Sequence, residues 1–492
     1  MKIKTISRSS DTYIAERNTD ESRISRNLNP ALHPFERARE YQKALTATKM
    51  ERMFAQPFVG QLGDGHRDAI YSIARNFDSL NKVASGSGDG VIKYWNLKSR
   101  KELVTFKAHY GRVSGLIVTP NGRLLSCGHD KTIKMWSVND EDFKQQAKKL
   151  KQYDDNEDEE SDFDDDESSD EEEEAGNELE NGFMNENEIN SSNGLIKTYL
   201  GEHSFESIDH HFNKDLFVTG GAQIELWDSN RSKPISNLTW GADNITTVRF
   251  NNVETSILAS AGSDNTVILY DIRTNSPTQK IVNTLRTNAI CFNPMSAYNF
   301  VCASEDSNVY GYDMRNMKRS TNVYKDHISA VLDVDFAPTG KELVTGSYDK
   351  TIRIFNVNEG HSREVYHTKR MQQVYCTKYS LDSKFIYSGS DDCNIRIWRA
   401  VAWERTNVKS TRERNKLEYD AKLKEKFKFM PEIRRISRHR HVPIGIKKDS
   451  EKRQIQTQSI KRRENNERLH SKKGSKPFKS EREKHIVANT YK

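Results

Sequence analysis

Histidine and aspartate recur along this 492-residue chain in an order that could support general acid–base chemistry. His66, His109, His203 and His327 each precede an aromatic residue by 24–29 positions. Asp89, Asp130, Asp264, Asp306, Asp349 and Asp392 each stand six positions before such an aromatic. A His–Asp pair can serve as a base and its orienting partner. Here the arrangement repeats along the chain, and so many copies cannot all be active sites. The expectation is structural: each aspartate bonds to turn amides and orients a histidine. Other clusters point to binding. Arg434, Arg435, Arg438 and Arg440 interleave with His439 and His441 in EIRRISRHRHVP, residues 432–443. Planar guanidinium forks and imidazoles suit phosphate contacts and stacking on unpaired bases. Lys461, Arg462 and Arg463 open a second basic run, KRRENNERLHSKK, which also fits an import signal. His439 and His441 have a spacing that a metal could use, but no third ligand is evident and four arginines crowd them. No metal or cofactor is expected. Ser161, Ser168 and Ser169 each have an acidic residue three positions later, the pattern of an acidophilic-kinase site. No phosphate-cradling glycine loop and no nucleophile–base pairing is present, so no enzyme is expected.

The elements that position these residues are set by a repeat. SGSGDGVIKYW at 85–95, SCGHDKTIKMW at 126–136 and SAGSDNTVILY at 260–270 share one pattern. It returns as CASEDSNVYGY at 302–312, TGSYDKTIRIF at 345–355 and SGSDDCNIRIW at 388–398, with a degenerate TGGAQIELW ending at Trp227. The closing aromatics, Trp95, Trp136, Trp227, Tyr270, Tyr312, Phe355 and Trp398, are 41, 91, 43, 42, 43 and 43 residues apart. A period of 41–43 matches the WD40 repeat, one four-stranded blade per copy. The fold expected is all-β, a seven-bladed WD40 β-propeller over residues 53–400. Gly221 replaces the aspartate in the third copy, so that blade should be less well tied. No outer strand follows Trp398, and MFAQPFVGQL at 53–62 can supply it, closing the ring without a free sheet edge.

Charge marks what lies outside the ring. Residues 154–180 hold 18 Asp/Glu and no Lys or Arg, and residues 401–492 hold 28 Lys/Arg against 12 Asp/Glu. Such blocks read as solvated or disordered interaction segments. The acidic insertion, 139–194, falls between strands c and d of the second blade. An N-terminal extension, 1–52, carries a helix that starts near Pro34 and docks on a partner or on the propeller wall. The tail, 401–492, opens with a charged helix from Trp403 to about Met430 that Pro431 breaks or restarts. All three extras should crowd the rim where strand c ends. No apolar run nears a membrane span, residues 1–13 lack a signal-like apolar stretch, and five scattered cysteines suit a reducing compartment. The chain is expected to be soluble and intracellular.

HPFERAREYQKALTATKMERMFAQPFVG, the repeats and PEIRRISRHRHVP together resemble the SOF-type WD-repeat family of the small-subunit processome, associated with U3 small nucleolar RNA. That resemblance covers nearly the whole chain. It implies a nucleolar, nuclear scaffold needed for early pre-ribosomal RNA cleavage and maturation of 18S rRNA. The implied partners are pre-ribosomal RNA, the U3 ribonucleoprotein and other processome proteins, with the chain a monomer inside a large complex and no membrane involved. A competing role comes from Asp271 and Arg273, and Asp313 and Arg315, each following a tyrosine in an aromatic-D-x-R box. Propellers with this pattern resemble substrate receptors of cullin-type ubiquitin ligases, which dock an adaptor through those arginines.

Overall fold

Each blade grows from a hairpin. The small residues that open a motif form strand b, the aspartate turns the chain, and the apolar run returns as strand c. Lys82–Ser87 pairs in this way with Val91–Asn96, and Arg123–Gly128 with Thr132–Ser137. The residue after the aspartate is left-handed, with φ between 62° and 71° at Lys131, Asn265, Ser307, Lys350 and Cys393. Aspartate carboxylates offset that strain by accepting the amide two residues on, as at Asp130–Thr132 (3.1 Å) and Asp349–Thr351 (2.9 Å). The first repeat has Gly90 at this position, where a Cβ would meet the His109 carbonyl oxygen at 1.9 Å.

The computed structural model describes residues 35–137, 194–241, 243–405, 407–472 and 474–491. Among them lies a seven-bladed β-propeller built from antiparallel sheets. Blade 1 runs through Ile70–Arg75, Lys82–Ser87, Val91–Asn96 and Lys101–Lys107, its strands a to d from the axis outward. Blades 2 to 6 repeat that order. Blade 7 takes its outer strand from the beginning of the ring: Phe58–Gln61 pairs with Ile395–Arg399, Phe58 opposite Trp398. The c–d hairpin of blade 2 flanks the acidic insertion, with Ser137 N donating to Gly194 O at 2.8 Å. Residues 138–193, with Ser161, Ser168 and Ser169, lie outside the described residues, as does Pro34.

Side chains at fixed repeat positions tie the strands together. The indole N–H of Trp95, Trp136 and Trp398 donates to Ser85, Ser126 and Ser388 at 2.7, 3.0 and 2.8 Å. In blade 2, His109 Nε2 lies 2.8 Å from that same Ser126 Oγ and its Nδ1 2.9 Å from Asp130. Blade 6 repeats this with His327, Thr345 (2.6 Å) and Asp349 (2.9 Å). Burial pushes both carboxyls up, yet the histidines and the hydroxyls of Thr132 and Thr351 hold Asp130 below and Asp349 well below the usual carboxylate range. The expected His–Asp pair is not made in blade 1. His66 reaches Ser85 at 2.6 Å, but Asp89 serves only the Val91 amide, and valine offers no hydroxyl where Thr132 and Thr351 stand. Burial lowers the His66 imidazole to about 4. His203 is exposed and joins no such network; beside Trp227 the buried ring is Phe205 instead.

Among the described residues, helices of 35–57 and 401–441 form a separate compact unit. Its elements are α1 (Glu36–Met53), α2 (Thr411–Lys426) and α3 (Pro431–Arg438). Ser410 caps α2 and Pro431 opens α3, so the expected break at this proline is a restart. Ala44, Leu423 and Ile433 are buried together, with Tyr41, Leu45 and Phe427 packed against them. The N-terminal helix therefore docks on the chain's own C-terminal helices. The expected single tail, 401–492, divides: residues 442–492 belong to the propeller unit. There α4 (Ile444–His470) and α5 (Glu481–Lys484) lead to a final strand, Ile486–Tyr491, added to the outer edge of blade 4.

Two outcomes follow. Replacing residues 138–193 by a short turn should shift the melting temperature by no more than a few degrees, because the hairpin ends already meet. A much larger fall measured by calorimetry would contradict this. His66 stays neutral in the fold, with a folded pKa of about 4 below the unfolded value near 6.5. Its contribution is therefore complete above about pH 6.5 and is lost as the pH falls toward 4. Between pH 7 and 5, His66→Gln should lose roughly 1–2 kcal/mol less stability than the parent. Parallel declines in urea midpoints would contradict it.

Candidate functional site

Ser126, His109 and Asp130 have the order and spacing of a nucleophile, base and orienting acid. Their surroundings forbid that use. Ser126 is fully buried, and its oxygen already accepts the Trp136 indole, so no substrate carbonyl can approach it. The relay instead links the loop before strand a to the b–c turn. In blade 7, Asp392 pairs with Arg396 and Ser390. Among the described residues no group of three or more His, Cys, Asp or Glu could hold a metal, and no helix is long and apolar enough to cross a membrane.

The basic cluster at 432–443 folds as a small amphipathic helix with a short extended exit. At about 100° per residue, Arg434, Arg435 and Arg438 share one face of α3, opposite Ile433 and Ile436. Ile433 is buried against Ala44 and Leu423, and the three arginines are exposed. Arg52 donates to Ser437 O at 2.7 Å and fixes the end of the helix. Arg440 departs from expectation: its guanidinium folds back to the carbonyls of Ser437 and His439, satisfying the helix C-terminus. His439 and His441 are exposed beside it. The face available to an anion thus comprises three arginines.

Two cations of the second basic run pair within the chain. Lys461 pairs with Glu481 at 2.6 Å and Arg463 with Glu467 at 3.2 Å, leaving Arg462 exposed. The distal tail also overturns the expectation that every extra gathers on the rim where strand c ends. Arg453 of α4 donates to Asp306 O (2.6 Å), His327 O (2.9 Å), Ile328 O (3.1 Å) and Ser307 Oγ. These belong to a b–c turn and a d–a loop, the opposite face, because guanidinium donors fit the carbonyls that cluster there. Nothing in the sequence marks Arg453 among its basic neighbours.

The aromatic-D-x-R boxes behave unequally. Arg315 is held by Asp313 in a two-pronged pair (3.1 and 2.8 Å) and lies over the Tyr298 ring at 4.4 Å. Arg273 approaches Asp271 only at 3.8 Å and is 82% exposed, and Asp271 is occupied with the Arg273 amide. Sequence reading missed a further cluster around the axis. Asp335 lies 3.5 Å from both Arg75 and Lys378, and Asp209 lies 3.5 Å from Arg249, around a cavity of about 130 Å³. The signal was available as a charged residue just before Phe or Tyr late in strand a: Arg249-Phe250, Asp335-Phe336 and Lys378-Tyr379. The three cations face the carboxylates of Asp209, Asp333 and Asp335, so the ring binds itself together.

Comparison with known proteins places these features in context. A Sof1-like domain matches residues 400–486, and WD domain, G-beta repeats match 58–96, 100–137, 318–356 and 360–399. The chain is 58% identical to Protein SOF1 of Saccharomyces cerevisiae, over 100% of this chain and 96% of that protein. It is 45% identical to the DDB1- and CUL4-associated factor 13 of Xenopus laevis and 43% identical to that of Homo sapiens, over 99% of each chain. Arginine helix, repeats and N-terminal helix all lie within those alignments, and the chain belongs to the Sof1 family of WD-repeat proteins.

Proposed function

We propose that this chain is a non-catalytic scaffold of the small-subunit processome. It supports early pre-ribosomal RNA processing and 18S rRNA maturation alongside U3 small nucleolar RNA, in the nucleolus. Family membership across the full chain supports the role in ribosome assembly. The observation that carries the RNA contact is the face of α3, where Arg434, Arg435 and Arg438 are exposed together. Guanidinium forks in that array engage the phosphates of a single strand and stack on its bases. Each phosphate neutralised on single-stranded RNA contributes about 0.7 to the salt slope, so changing all three arginines to alanine should flatten it by roughly 2. Lysine at these positions should restore part of the affinity. Arg440→Ala alone should leave the slope unchanged. An alanine variant with the parent's slope and affinity would sink the RNA role of this face.

A second reading rests on Arg273 and on the relatives named for association with DDB1 and CUL4. An exposed guanidinium that only loosely approaches its carboxylate is available to an adaptor, whereas Arg315 must first leave Asp313. Arg273→Ala should therefore reduce adaptor capture more than Arg315→Ala, with no change in melting temperature. Equal capture by the parent and by the double variant would remove this reading.

A further inference from the structure

Blade 5 lacks a histidine of its own. His66, His109 and His327 stand four residues before strand a of blades 1, 2 and 6; in blade 5 that position is Asn283. The motif's opening serine is Cys302 here and its closing aromatic is Tyr312, whose hydroxyl turns to Asn283 Oδ1 at 3.2 Å. His485, from the far end of the chain, fills the gap. Its Nε2 lies 2.8 Å from the Tyr312 hydroxyl, and its ring stacks on Tyr310 with centroids 3.7 Å apart and planes at 10°. Thr284 N donates to His485 O at 2.9 Å, and Ser320 N and Oγ donate to Arg482 O at 3.0 and 3.1 Å.

The residues that follow enter as a strand. Ile486–Tyr491 runs antiparallel to strand d of blade 4, from Asn283 opposite Ile486 to Gln279 opposite Tyr491. That strand, Ser276–Asn283, has eight residues, against seven in the d strand of blade 1 and three in that of blade 5, so its edge is long enough to accept another. The added strand buries little: Val487 and Tyr491 are exposed, and only Ile486 packs on the core formed by blades 4 and 5. Main-chain bonds supply adhesion, as in strand addition generally, and the histidine socket supplies selectivity. A ligand held by one buried ring and an edge can be exchanged.

We propose that the rim between blades 4 and 5 is a binding seat for an extended peptide that presents a histidine at its entry, and that residues 485–491 are its exchangeable resident. A segment with histidine followed by a short β-forming run could take the same seat, releasing residues 485–491 while Arg453 still holds α4.

The test uses the full chain. In His485→Ala, amides of 486–491 should exchange as in a free peptide, while Asn299–Ser304 of blade 5 remains protected. A labelled peptide of residues 479–492 should bind this variant, and bind the parent at least roughly tenfold more weakly because the seat is filled. The same peptide with alanine at 485 should also bind the variant roughly tenfold or more weakly. Ala488→Pro blocks strand pairing without altering the socket, and repeats the binding measurement if the first variant does not fold. Peptide binding to neither protein, equal binding to both, or 486–491 amides still protected in the variant would each overturn the proposal.

Discussion

The pairing of Phe58–Gln61 with Ile395–Arg399 is the contact on which the other features depend. A ring of sheets has as many outer strands as blades, and blade 7 makes only three from its own segment. Without the borrowed strand, the edge of Ile395–Arg399 would carry unpaired N–H and C=O groups, a template for aggregation. Phe58 packs edge-on against Trp398, so the closure is sealed by aromatic contact as well as by the ladder. The antiparallel register has a second consequence. It brings the residues just before 58 beside those just after 400, and Gln56 N donates to Ala402 O at 2.8 Å. The N-terminal helix thereby meets the C-terminal helices that complete its core.

Within the ring, stabilisation is shared unevenly. Blades 2 and 6 carry full histidine–aspartate relays, blade 1 a shortened one, and blade 3 an aromatic plug. Blade 5 takes its histidine from the tail. The axial charges join neighbours directly: Asp209 of blade 3 accepts the Phe250 amide of blade 4, and Asp335 of blade 6 accepts that of Tyr379 in blade 7. Each of these carboxylates bonds an amide and faces a cation, which is how a polar axis coexists with an apolar ring, although burial still pushes the Asp209 carboxyl above its ordinary value.

The tail is thereby part of the structure at its far end and a presenting arm at its near end. Residues 431–438 hold three arginines outward on a helix whose opposite side is buried. Helix α4 buries no side chain of its own, and is held by Arg453 and by the segment that follows it. A charged helix without an apolar stripe gains little from propensity alone, so its position follows from these few anchors.

The sequence by itself determined the blade count, the strand order, the closing strand and the site of the acidic insertion. Each rests on local signals: a turn aspartate, a small residue ten positions before an aromatic, and a 41–43-residue period that survives one long interruption. It also marked the arginines of α3, since their composition is visible without neighbours. What it did not determine were contacts between segments far apart in the chain. Asp89 looks like Asp130 in the motif, yet only a threonine at the following turn position holds the carboxylate toward histidine. Arg440 reads like Arg438, but lies past the helix end, where free carbonyls claim it. His485 and Arg453 gave no signal of their destinations, because a histidine's partner 173 residues away, or an arginine's 126, is set by the closed ring and not by adjacent residues. Tertiary structure decided those roles, since a single side chain binds wherever the folded backbone leaves a donor or acceptor unpaired.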